Sequence, residues 1–282
     1  MTTDDILLRA LEEDAPWGDV TSALFVPADA TAEAALVARE PGVLSGIEVA
    51  ARVCSLVDLA LVLTTSARDG ALFAAGDELG RIQGPARSLL RAERVALNLL
   101  QRLSGIATLT ARYVREAEGS KARIVDTRKT TPGLRVLERQ AVRDGGGHNH
   151  RFSLSDAVLA KDNHLAVLRA QGVDLGDAIR DARARLGHTT HLEVEVDRLD
   201  QIEPVVGAGV DTIMLDNFTP DDLRRGVAIV AGRALVEASG GVTLDTVGAI
   251  ARTGVDLISV GAVTHSARAI DIGLDIAVRA AP

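Results

Sequence analysis

The sequence predicts an α/β protein in which a separate α+β unit precedes a TIM-like, incomplete α/β barrel. Hydrophobic residues make up 47% of the 282 residues and aromatic residues only 2%, so the core must consist mainly of Leu, Val, Ile and Ala. These residues fill the layers of α/β folds. From about residue 122 onward, short apolar runs alternate with amphipathic segments. Such alternation indicates parallel strands joined by helices.

The first part of the chain, residues 1–107, contains short elements separated by turn signals such as Pro-Gly and Gly-Asp pairs. It ends in an amphipathic helix predicted over Ala86–Ser104. Glu93 falls on the apolar face of this helix. We expect it to be buried and paired with an Arg or Lys, because an unpaired buried carboxylate is costly. The barrel is then expected over residues 108–267, with a tail of about 268–282 that packs back on the first domain.

The second part contains the predicted strands of the barrel. They span Arg123–Asp126, Ala157–Lys161, His191–Val196, Thr212–Asp216, Leu235–Ala238 and Leu257–Val260. Predicted helices between them span Leu175–Leu186, Leu199–Val206, Asp221–Val230 and Leu244–Thr253. Polar or glycine residues lie at or just after successive strand ends, namely Lys161, Glu195, Asp216, Ser239 and Gly261. A barrel gathers such residues around one mouth, whereas an open sheet spreads them along an edge. We therefore expect a barrel, incomplete because only about six strands are visible.

The distribution of charge predicts a site for a small anion. The net charge of −8 argues against general nucleic-acid binding, which requires a basic face. Residues 121–161 nevertheless contain nine Lys or Arg residues against four Asp or Glu residues. Charged residues often coat solvated helices, but a cluster of this size favours an anionic small-molecule ligand.

Three further features bear on location. Cys54 is the only cysteine and cannot form an internal disulfide. No secretion signal with a basic start and an apolar centre precedes the acidic opening of the chain. No run of about 18 apolar residues occurs. We expect a cytoplasmic protein that does not span a membrane.

Common nucleotide and metal signatures are missing from the sequence. There is no Walker-type loop ending in Gly-Lys-Ser/Thr, and no Gly-x-Gly-x-x-Gly between a strand and a helix. His148 and His150 form a His-x-His pair, but no further ligands follow at zinc spacing. The sequence therefore gives no support for an ATPase, a dinucleotide-dependent dehydrogenase or a zinc site.

Three segments concentrate cations near predicted strand ends. Asp126–Gly133 contains the adjacent Arg128 and Lys129. Arg grips a carboxylate or phosphate through two bonds, while Lys acts as a mobile point charge. Gly145–Arg151 combines three glycines with four polar side chains, and such glycines allow a sharp turn or a close approach to a ligand. Lys161 ends a buried strand, so it either reaches out to solvent or faces the barrel mouth. A surface turn and a flexible connector are the simpler alternatives for the first two segments.

Acidic and glycine-rich segments follow other strands. Glu193 and Glu195, which share one face of their strand, and Asp216 offer the hard oxygen atoms that suit Mg²⁺ and ribose hydroxyls. Ser239–Gly241 and Gly261–Ser266 offer backbone N–H groups and hydroxyls near helix starts, where a phosphate binds well. Barrels often bind phosphate after their last strands. Each glycine-rich turn alone is a weak signal.

Taken together and in this order, these segments resemble the quinolinate phosphoribosyltransferase family, the carboxylating nicotinate-nucleotide pyrophosphorylases. The resemblance covers nearly the whole chain through Gly18–Thr21, Pro41–Gly46, Glu93–Asn98, Leu103–Thr108, Asp126–Pro132, Gly145–Arg151, Lys161–His164, Glu193–Asp197, Leu215–Phe218, Ser239–Gly241 and Gly261–Ser266. It implies an N-terminal α/β sandwich domain and a partly open barrel. The implied reaction joins quinolinate to phosphoribosyl pyrophosphate and releases pyrophosphate and CO₂. Its product is nicotinate mononucleotide, on the de novo route to NAD.

The resemblance also implies roles for individual residues. It implies a homodimer, or a higher homo-oligomer, in which one subunit donates Arg94 to the site of its neighbour. Quinolinate would be held by Arg94, Thr127, Arg128, Lys129, His150, Arg151 and Lys161. Catalysis would use Lys129, Lys161, Glu195 and Asp216, the last two also holding Mg²⁺. The 5′-phosphate would bind at Ser239, Gly240, Gly241, Val260, Gly261, Ala262, His265 and Ser266.

Other functions stay open at this point. A transferase of the same fold acting on another pyridine carboxylate would need fewer cations, whereas two carboxylates use Arg128, Arg151 and Lys161 together. A Schiff-base aldolase using Lys161 would need that lysine neutral, and surrounding cations supply no base. A non-catalytic phosphosugar-binding protein would bind phosphoribosyl pyrophosphate without turnover.

Overall fold

The computed structural model describes residues 2–279, except for the side chains of Arg169, Val278 and Arg279. The chain divides into two units. The first unit comprises the described residues up to Ala111, Thr130–Gly146 and the described residues from Val263 onward. The second unit comprises Arg112–Lys129 and Gly147–Ala262.

Helices and strands follow one another along the chain in two series. The earlier series consists of α1 (Thr3–Asp14), α2 (Val20–Phe25), β1 (Thr31–Ala38), β2 (Gly42–Val43), α3 (Ile47–Val57), β3 (Val62–Thr64), β4 (Leu72–Phe73), β5 (Glu78–Pro85) and α4 (Ala86–Glu116). The later series consists of β6 (Arg123–Val125), α5 (Arg135–Asp144), β7 (Val158–Ala160), α6 (Asp162–Ala170), α7 (Leu175–Arg185), β8 (Leu192–Val196), a 3₁₀ helix (Leu199–Gln201), α8 (Ile202–Gly207), β9 (Thr212–Asp216), α9 (Pro220–Val230), β10 (Leu235–Ser239), α10 (Leu244–Ala251), β11 (Leu257–Ser259), α11 (Ala262–His265) and β12 (Ile272–Arg279).

The first unit is built on an antiparallel sheet with the strand order β12-β1-β5-β3. Burial alternates along β1, so every second side chain enters the core. β12 lies beside β1, with Thr31 opposite Arg279 and Ala38 opposite Ile272. The last strand of the chain therefore completes the sheet of the first unit.

Helix α4 ends at Glu116 rather than at Ser104, where the prediction placed its end. The prediction stopped before Gly105, but burial continues as far as Tyr113 and beyond. A Cβ atom on Gly105 would lie 1.9 Å from the backbone oxygen of Arg268. The glycine therefore marks a close approach of two backbone segments and not the end of a helix.

The prediction that Glu93 is buried and ion-paired is wrong. Glu93 is partly exposed, and no salt bridge within residues 2–279 involves it. A fully buried carboxylate of this unit belongs instead to Glu138 on α5. Arg102 donates to Glu138 Oε1 from Nε at 3.2 Å and from Nη2 at 3.0 Å, and Thr131 donates to the same oxygen at 2.7 Å. Arg102 of α4 thus pairs with a buried acid from another segment of the chain.

The second unit contains six parallel strands in the order β6-β11-β10-β9-β8-β7, as expected for an open barrel. β6 and β7 follow one another in the chain but stand at opposite ends of this order, and no ladder joins them in the described structure. Each predicted strand forms, with bounds within about one residue of those predicted. The predicted α/β barrel class is confirmed.

The four predicted helices of this unit also form close to their predicted positions, one of them in two parts, whereas α6 was not predicted. The helix predicted over Leu199–Val206 forms as a 3₁₀ helix followed by α8. Pro204 lies in the first turn of α8, where its missing N–H removes no helical hydrogen bond. None of the helices in the described part of the chain has the length and hydropathy that a bilayer crossing requires.

Candidate active site

A cavity of about 330 Å³ opens at the carboxyl ends of the strands in the second unit, and we call it the cationic cavity. It is lined by Thr127, Arg128, Lys129, His150, Arg151, Leu159, Lys161, Met214, Ser239 and Ser259. The residues come from different strands because parallel strands bring their carboxyl ends to one rim. All the predicted quinolinate-binding residues of this unit, together with Ser239, thereby share a single cavity.

The polar segment 148–151 is held against the barrel by the fully buried carboxylate of Asp126, directly after β6. His148 forms a parallel bridge with β6. Asp126 accepts hydrogen bonds from the backbone N–H of His150 at 2.7 Å and from Asn149 Nδ2 at 2.7 Å. Hydrogen bonds to a buried carboxylate are strong. The segment is therefore a fixed strip beside β6 and not a flexible connector.

The His150 ring contacts two buried carboxylates. Its Nε2 lies 3.0 Å from Glu193 Oε2 and 3.5 Å from Glu237 Oε1, and its Nδ1 accepts the backbone N–H of Arg151 at 2.7 Å. Burial acts to lower the pKa of His150, but the hydrogen bond to Glu193 and the charges of Glu237, Glu193 and Asp126 outweigh burial and raise it. Burial, followed by the charge of Glu193, raises the pKa of Glu237 to about 8. Burial beside Glu193 therefore favours the protonated form of Glu237.

Two guanidinium groups lie close together in the cationic cavity. Arg151 Nη1 donates to the backbone oxygen of Ala157 at 3.0 Å, which fixes the orientation of the side chain. Burial, and then the positive charge of Arg128, lower the pKa of Arg151. Cations held this close to one another in a partly buried cavity favour the binding of an anion.

A second cavity of about 390 Å³ in the same unit is acidic, and we call it the acidic cavity. It is lined by Asp162, Leu165, Glu195, Val196, Asp197, Gln201, Asp216 and Asn217. Its carboxylates include both predicted metal ligands, Glu195 and Asp216. Carboxylate oxygens with an amide oxygen nearby form a donor set that fits Mg²⁺. Lys161 forms an ion pair with Glu195, and this pair connects the acidic cavity to the cationic cavity.

The turn after β10 requires glycine. The backbone N–H of Asn217 donates to the oxygen of Ser239 at 2.8 Å. Gly240 has a φ of +88°, and a Cβ atom there would lie 2.2 Å from Asn217 Oδ1. Gly241 follows with a φ of +59°. Val260, at the end of the next strand, donates its N–H to the oxygen of Val125 at 2.9 Å. These predicted phosphate-binding positions thus lie on tightly constrained backbone.

The remaining predicted site residues lie at other places in the chain. Gly261 and Ala262 follow β11 in the second unit. His265 and Ser266 belong to the first unit, where Ser266 Oγ lies 2.7 Å from His265 Nδ1. Arg94 is on α4 in the first unit, with an exposed side chain.

Family models match most of the chain. The model described as "Quinolinate phosphoribosyl transferase, N-terminal domain" matches residues 19–104. The model described as "Quinolinate phosphoribosyl transferase, C-terminal domain" matches residues 106–275. The chain belongs to the quinolinate phosphoribosyl transferase family.

Similar proteins support the same assignment. The nicotinate-nucleotide pyrophosphorylase [carboxylating] of Mycobacterium leprae is 44% identical over 279 residues, covering 96% of each chain. The probable nicotinate-nucleotide pyrophosphorylase [carboxylating] of Bacillus subtilis is 41% identical over 264 residues, covering 94% of this chain and 90% of the relative. The crystal structure of NadC from Streptococcus pyogenes superposes with a TM-score of 0.93 at 40% identity, covering 98% of this chain and 97% of the other. The predicted family is confirmed.

Several residues at the site of this quinolinate phosphoribosyl transferase were not predicted. Met214 and Ser259 line the cationic cavity, and Asp197 lines the acidic cavity. Glu237 is buried beside His150, and so is Glu193, which was predicted only as an acid suited to Mg²⁺ or ribose. The sequence did contain a signal for Glu237. It lies between the apolar residues Val236 and Ala238 of a barrel strand, and a buried acid must be stabilised by other polar groups.

Proposed function

We propose that this protein transfers the phosphoribosyl group of phosphoribosyl pyrophosphate to quinolinate, with decarboxylation, to give nicotinate mononucleotide, pyrophosphate and CO₂. The observation that carries the proposal is the convergence of Arg128, Arg151 and Lys161 on one cavity in a member of the quinolinate phosphoribosyl transferase family. Both substrates are polyanions, and a cavity with several fixed cations suits them.

In this proposal the cationic cavity binds the pyridine ring by its two carboxylates. Arg128 and Arg151 grip carboxylate oxygens through paired N–H groups, and Lys161 adds a third charge. Thr127 and His150 supply hydrogen bonds, and Lys129 lies where it can contact both quinolinate and pyrophosphate. The proximity of Arg128 to Arg151, which contributes to the lowered pKa of Arg151, supports a dianionic ligand.

The proposed reaction has a transfer step and a decarboxylation step. The ring nitrogen forms a bond to the anomeric carbon of the sugar as the bond from that carbon to the pyrophosphate oxygen breaks. Fixed cations stabilise the departing pyrophosphate and orient the reactants. The bond to the 2-carboxylate then breaks and releases CO₂. Its electron pair stays on the ring carbon next to the quaternised nitrogen, and that carbon takes up a proton.

The acidic cavity is proposed to bind the ribose and Mg²⁺ through Glu195 and Asp216. When bound, Mg²⁺ neutralises negative charge on the phosphate oxygens. Asn217 Nδ2 donates to Asp216 Oδ2 at 2.6 Å and holds that carboxylate in place. Lys161 does the same for Glu195 through their ion pair.

The 5′-phosphate is proposed to bind at the constrained turn of Ser239, Gly240 and Gly241 and at the segment formed by Val260, Gly261, Ala262, His265 and Ser266. Glycines without a Cβ atom let backbone N–H groups approach an anion closely. The required glycine at position 240, whose Cβ would clash with Asn217, supports a turn shaped for this purpose.

We also propose that the protein is a homodimer, or a higher homo-oligomer, in which Arg94 reaches the site of the neighbouring subunit. The exposure of Arg94 on α4 supports this role. The first unit exposes large apolar side chains close together in the chain, namely Trp17 at 94%, Val20 at 70%, Leu24 at 80% and Phe25 at 81%. Apolar groups of this size at one place favour contact with another protein surface.

A cytoplasmic location is part of the same proposal. Burial raises the pKa of the Cys54 thiol to about 11, so this cysteine stays in its unreactive thiol form. A single buried, free cysteine is typical of proteins from a reducing compartment.

The direct test is to incubate the pure protein with quinolinate, phosphoribosyl pyrophosphate and Mg²⁺. We expect nicotinate mononucleotide and CO₂ in equal amounts, and no product when Mg²⁺ is removed with a chelator. Product formed from nicotinate or another pyridine acid, but not from quinolinate, would identify a transferase with a different acceptor. Binding of phosphoribosyl pyrophosphate without turnover would identify a phosphosugar-binding protein.

The aldolase alternative has a test of its own. Borohydride would trap a Schiff base on Lys161 if the protein were an aldolase. The ion pair of Lys161 with Glu195 engages the Nζ atom as a charged partner, which supports anion binding over Schiff-base chemistry. We expect no trapped adduct.

A further inference from the structure

A third cavity of the second unit, of about 390 Å³, shares residues with the cationic cavity. We call it the core cavity. It is lined by Arg123, Val125, His148, Asn149, His150, Arg151, Ala157, His191, Glu193, Thr212, Glu237 and Leu257. His150 and Arg151 line both cavities. A contact in the core cavity that orients either side chain therefore also sets its position in the cationic cavity.

The core cavity contains two carboxylates that the proposed reaction does not use. Glu193 is 3% exposed and Glu237 is 1% exposed. Oε1 of each is buried without a hydrogen-bond partner in the described structure. One oxygen of each carboxylate and a ring nitrogen of His150 all lie within 4.8 Å of one another. Two buried acids this close repel one another when both are ionised, and this repulsion, added to burial, raises the pKa of Glu237.

The tautomer of His150 decides between a proton and a metal ion in this cluster. Nδ1 of His150 accepts the backbone N–H of Arg151, so the ring proton is on Nε2 and points at Glu193 Oε2. A metal ion on Nε2 would require a ring with no proton on either nitrogen. The other charged or titratable groups facing the cluster are Asp126 after β6 and the cavity-lining Arg123, Arg151, His148 and His191. Two of these are arginines, which repel a cation.

We propose that Glu193 and Glu237 are positioning residues, which orient the ring of His150, and with it Arg151, toward the pyridine substrate. Glu193 accepts the Nε2 proton and fixes the rotation of the ring. Glu237 donates its proton within the pair and so holds Glu193 as the acceptor. The arrangement resembles the second layer of hydrogen bonds that orients a histidine ligand in metal sites. This inference rests on the proposed function.

The first test measures the KM for each substrate. Glu193→Gln replaces the charged acceptor of the Nε2 proton by a neutral amide, whose oxygen is a weaker acceptor. We expect a KM for quinolinate about tenfold higher, the effect of losing one hydrogen bond to a charged group, and a KM for phosphoribosyl pyrophosphate changed far less. Glu237→Leu should act in the same direction. Glu237→Gln keeps a neutral hydrogen-bond donor of the same shape. Its KM for quinolinate should therefore be closer to that of the unaltered protein than the KM of Glu237→Leu is.

The matched control is Glu203→Gln, which removes an exposed carboxylate that pairs with Arg233 in the same unit. We expect no change in either KM. Thermal unfolding of every variant separates a loss of orientation from a loss of folding. A folded Glu193→Gln protein with an unchanged KM for quinolinate would overturn the inference, and so would an equal rise in both KM values.

The second test does not depend on activity. ¹⁵N NMR of the histidine side chains, with His150 assigned by comparison with His150→Asn, reports which ring nitrogen carries the proton. We expect a protonated Nε2 and an unprotonated Nδ1 at neutral pH, and a changed tautomer balance in Glu193→Gln. A protonated Nδ1, or a stoichiometric divalent metal that is lost in Glu237→Gln, would overturn the inference. If the expected tautomer is found in a protein that does not turn over quinolinate, the proposed function fails and the hydrogen-bonded network stands.

Discussion

The cationic cavity and the acidic cavity are similar in volume and lie in one unit, yet they carry opposite charges. The order of the strands explains this separation. The carboxylates of the acidic cavity lie at the carboxyl ends of β8 and β9, which are neighbours in the sheet, and at the start of α6. The cations follow β6 and lie on the adjoining strip, with Lys161 after β7. A barrel rim can thus hold a polyanion and a hydrated cation side by side, because each part of the rim is supplied by different strands.

The largest effect should come from removing a cation of the cationic cavity. Arg128→Ala or Lys161→Ala should lower kcat/KM for quinolinate about a hundredfold, since each removes a charge that the substrate carboxylates require. Steady-state kinetics with quinolinate varied measures this loss. The control is Arg224→Ala, which removes an exposed guanidinium on α9. Near-normal turnover in both cavity variants would show that the charge separation has no role in binding.

The acidic cavity should respond differently to neutral substitutions. Glu195→Gln and Asp216→Asn keep the shape of the side chains but remove the charges that suit Mg²⁺. We expect about tenfold lower kcat and a higher Mg²⁺ concentration for half-maximal activity, with a smaller change in the KM for quinolinate. Activity measured across a Mg²⁺ titration would reveal this. An unchanged Mg²⁺ requirement in both variants would contradict the proposed division of roles.

The comparison extends to the proposed dimer, because Arg94 would add one more cation from the neighbouring subunit. Arg94→Ala and Lys161→Ala proteins should each be nearly inactive. A dimer mixed from both should regain about one working site, in which neither substitution is present. Activity after co-expression with two different affinity tags measures the recovery. No recovery in a verified mixed dimer would rule out a shared site.

The smallest effect concerns a buried carboxyl outside the proposed metal site. The pKa of Glu237 is about 8 in the folded protein, against its ordinary value of 4.5. Between these values the folded protein keeps a proton that the unfolded chain releases. The free energy of unfolding contributed by Glu237 therefore falls as the pH rises from about 4.5 to about 8. Urea unfolding across this range should show a flatter dependence for Glu237→Gln than for the unaltered protein. An equal pH dependence of the free energy of unfolding in the two proteins would contradict the raised pKa of Glu237.

The sequence predicted the barrel better than it predicted the interior of the barrel. Apolar runs separated by helical periods located every strand of the second unit, and residues after those runs had to reach one rim. The pattern did not show which acids on a strand face inward, because Glu193 and Glu195 share a face of β8 but differ in depth and partners. Only the packed structure shows that Glu193 contacts His150 and that Glu195 contacts Lys161.

The first unit shows a different limit of prediction. The predicted helix ended at Ser104, one residue before Gly105, because the close contact of Gly105 with Arg268 is not visible in the sequence. Glu93 was expected to be buried from its place on the apolar stripe, yet the buried acid is Glu138, which lies far along the chain. Long-range packing overrides a local pattern wherever distant segments share a core.

Pairing between β1 and β12 has a consequence for how the protein is made. During synthesis the ribosome completes β1 early, but its partner β12 emerges only after every residue of the second unit. Until β12 emerges, the nascent sheet carries an uncovered edge whose N–H and C=O groups are able to recruit strands from other chains. A message truncated before the codon for Ile272 would leave that edge open permanently, and its product should aggregate even though every residue of the second unit has been translated.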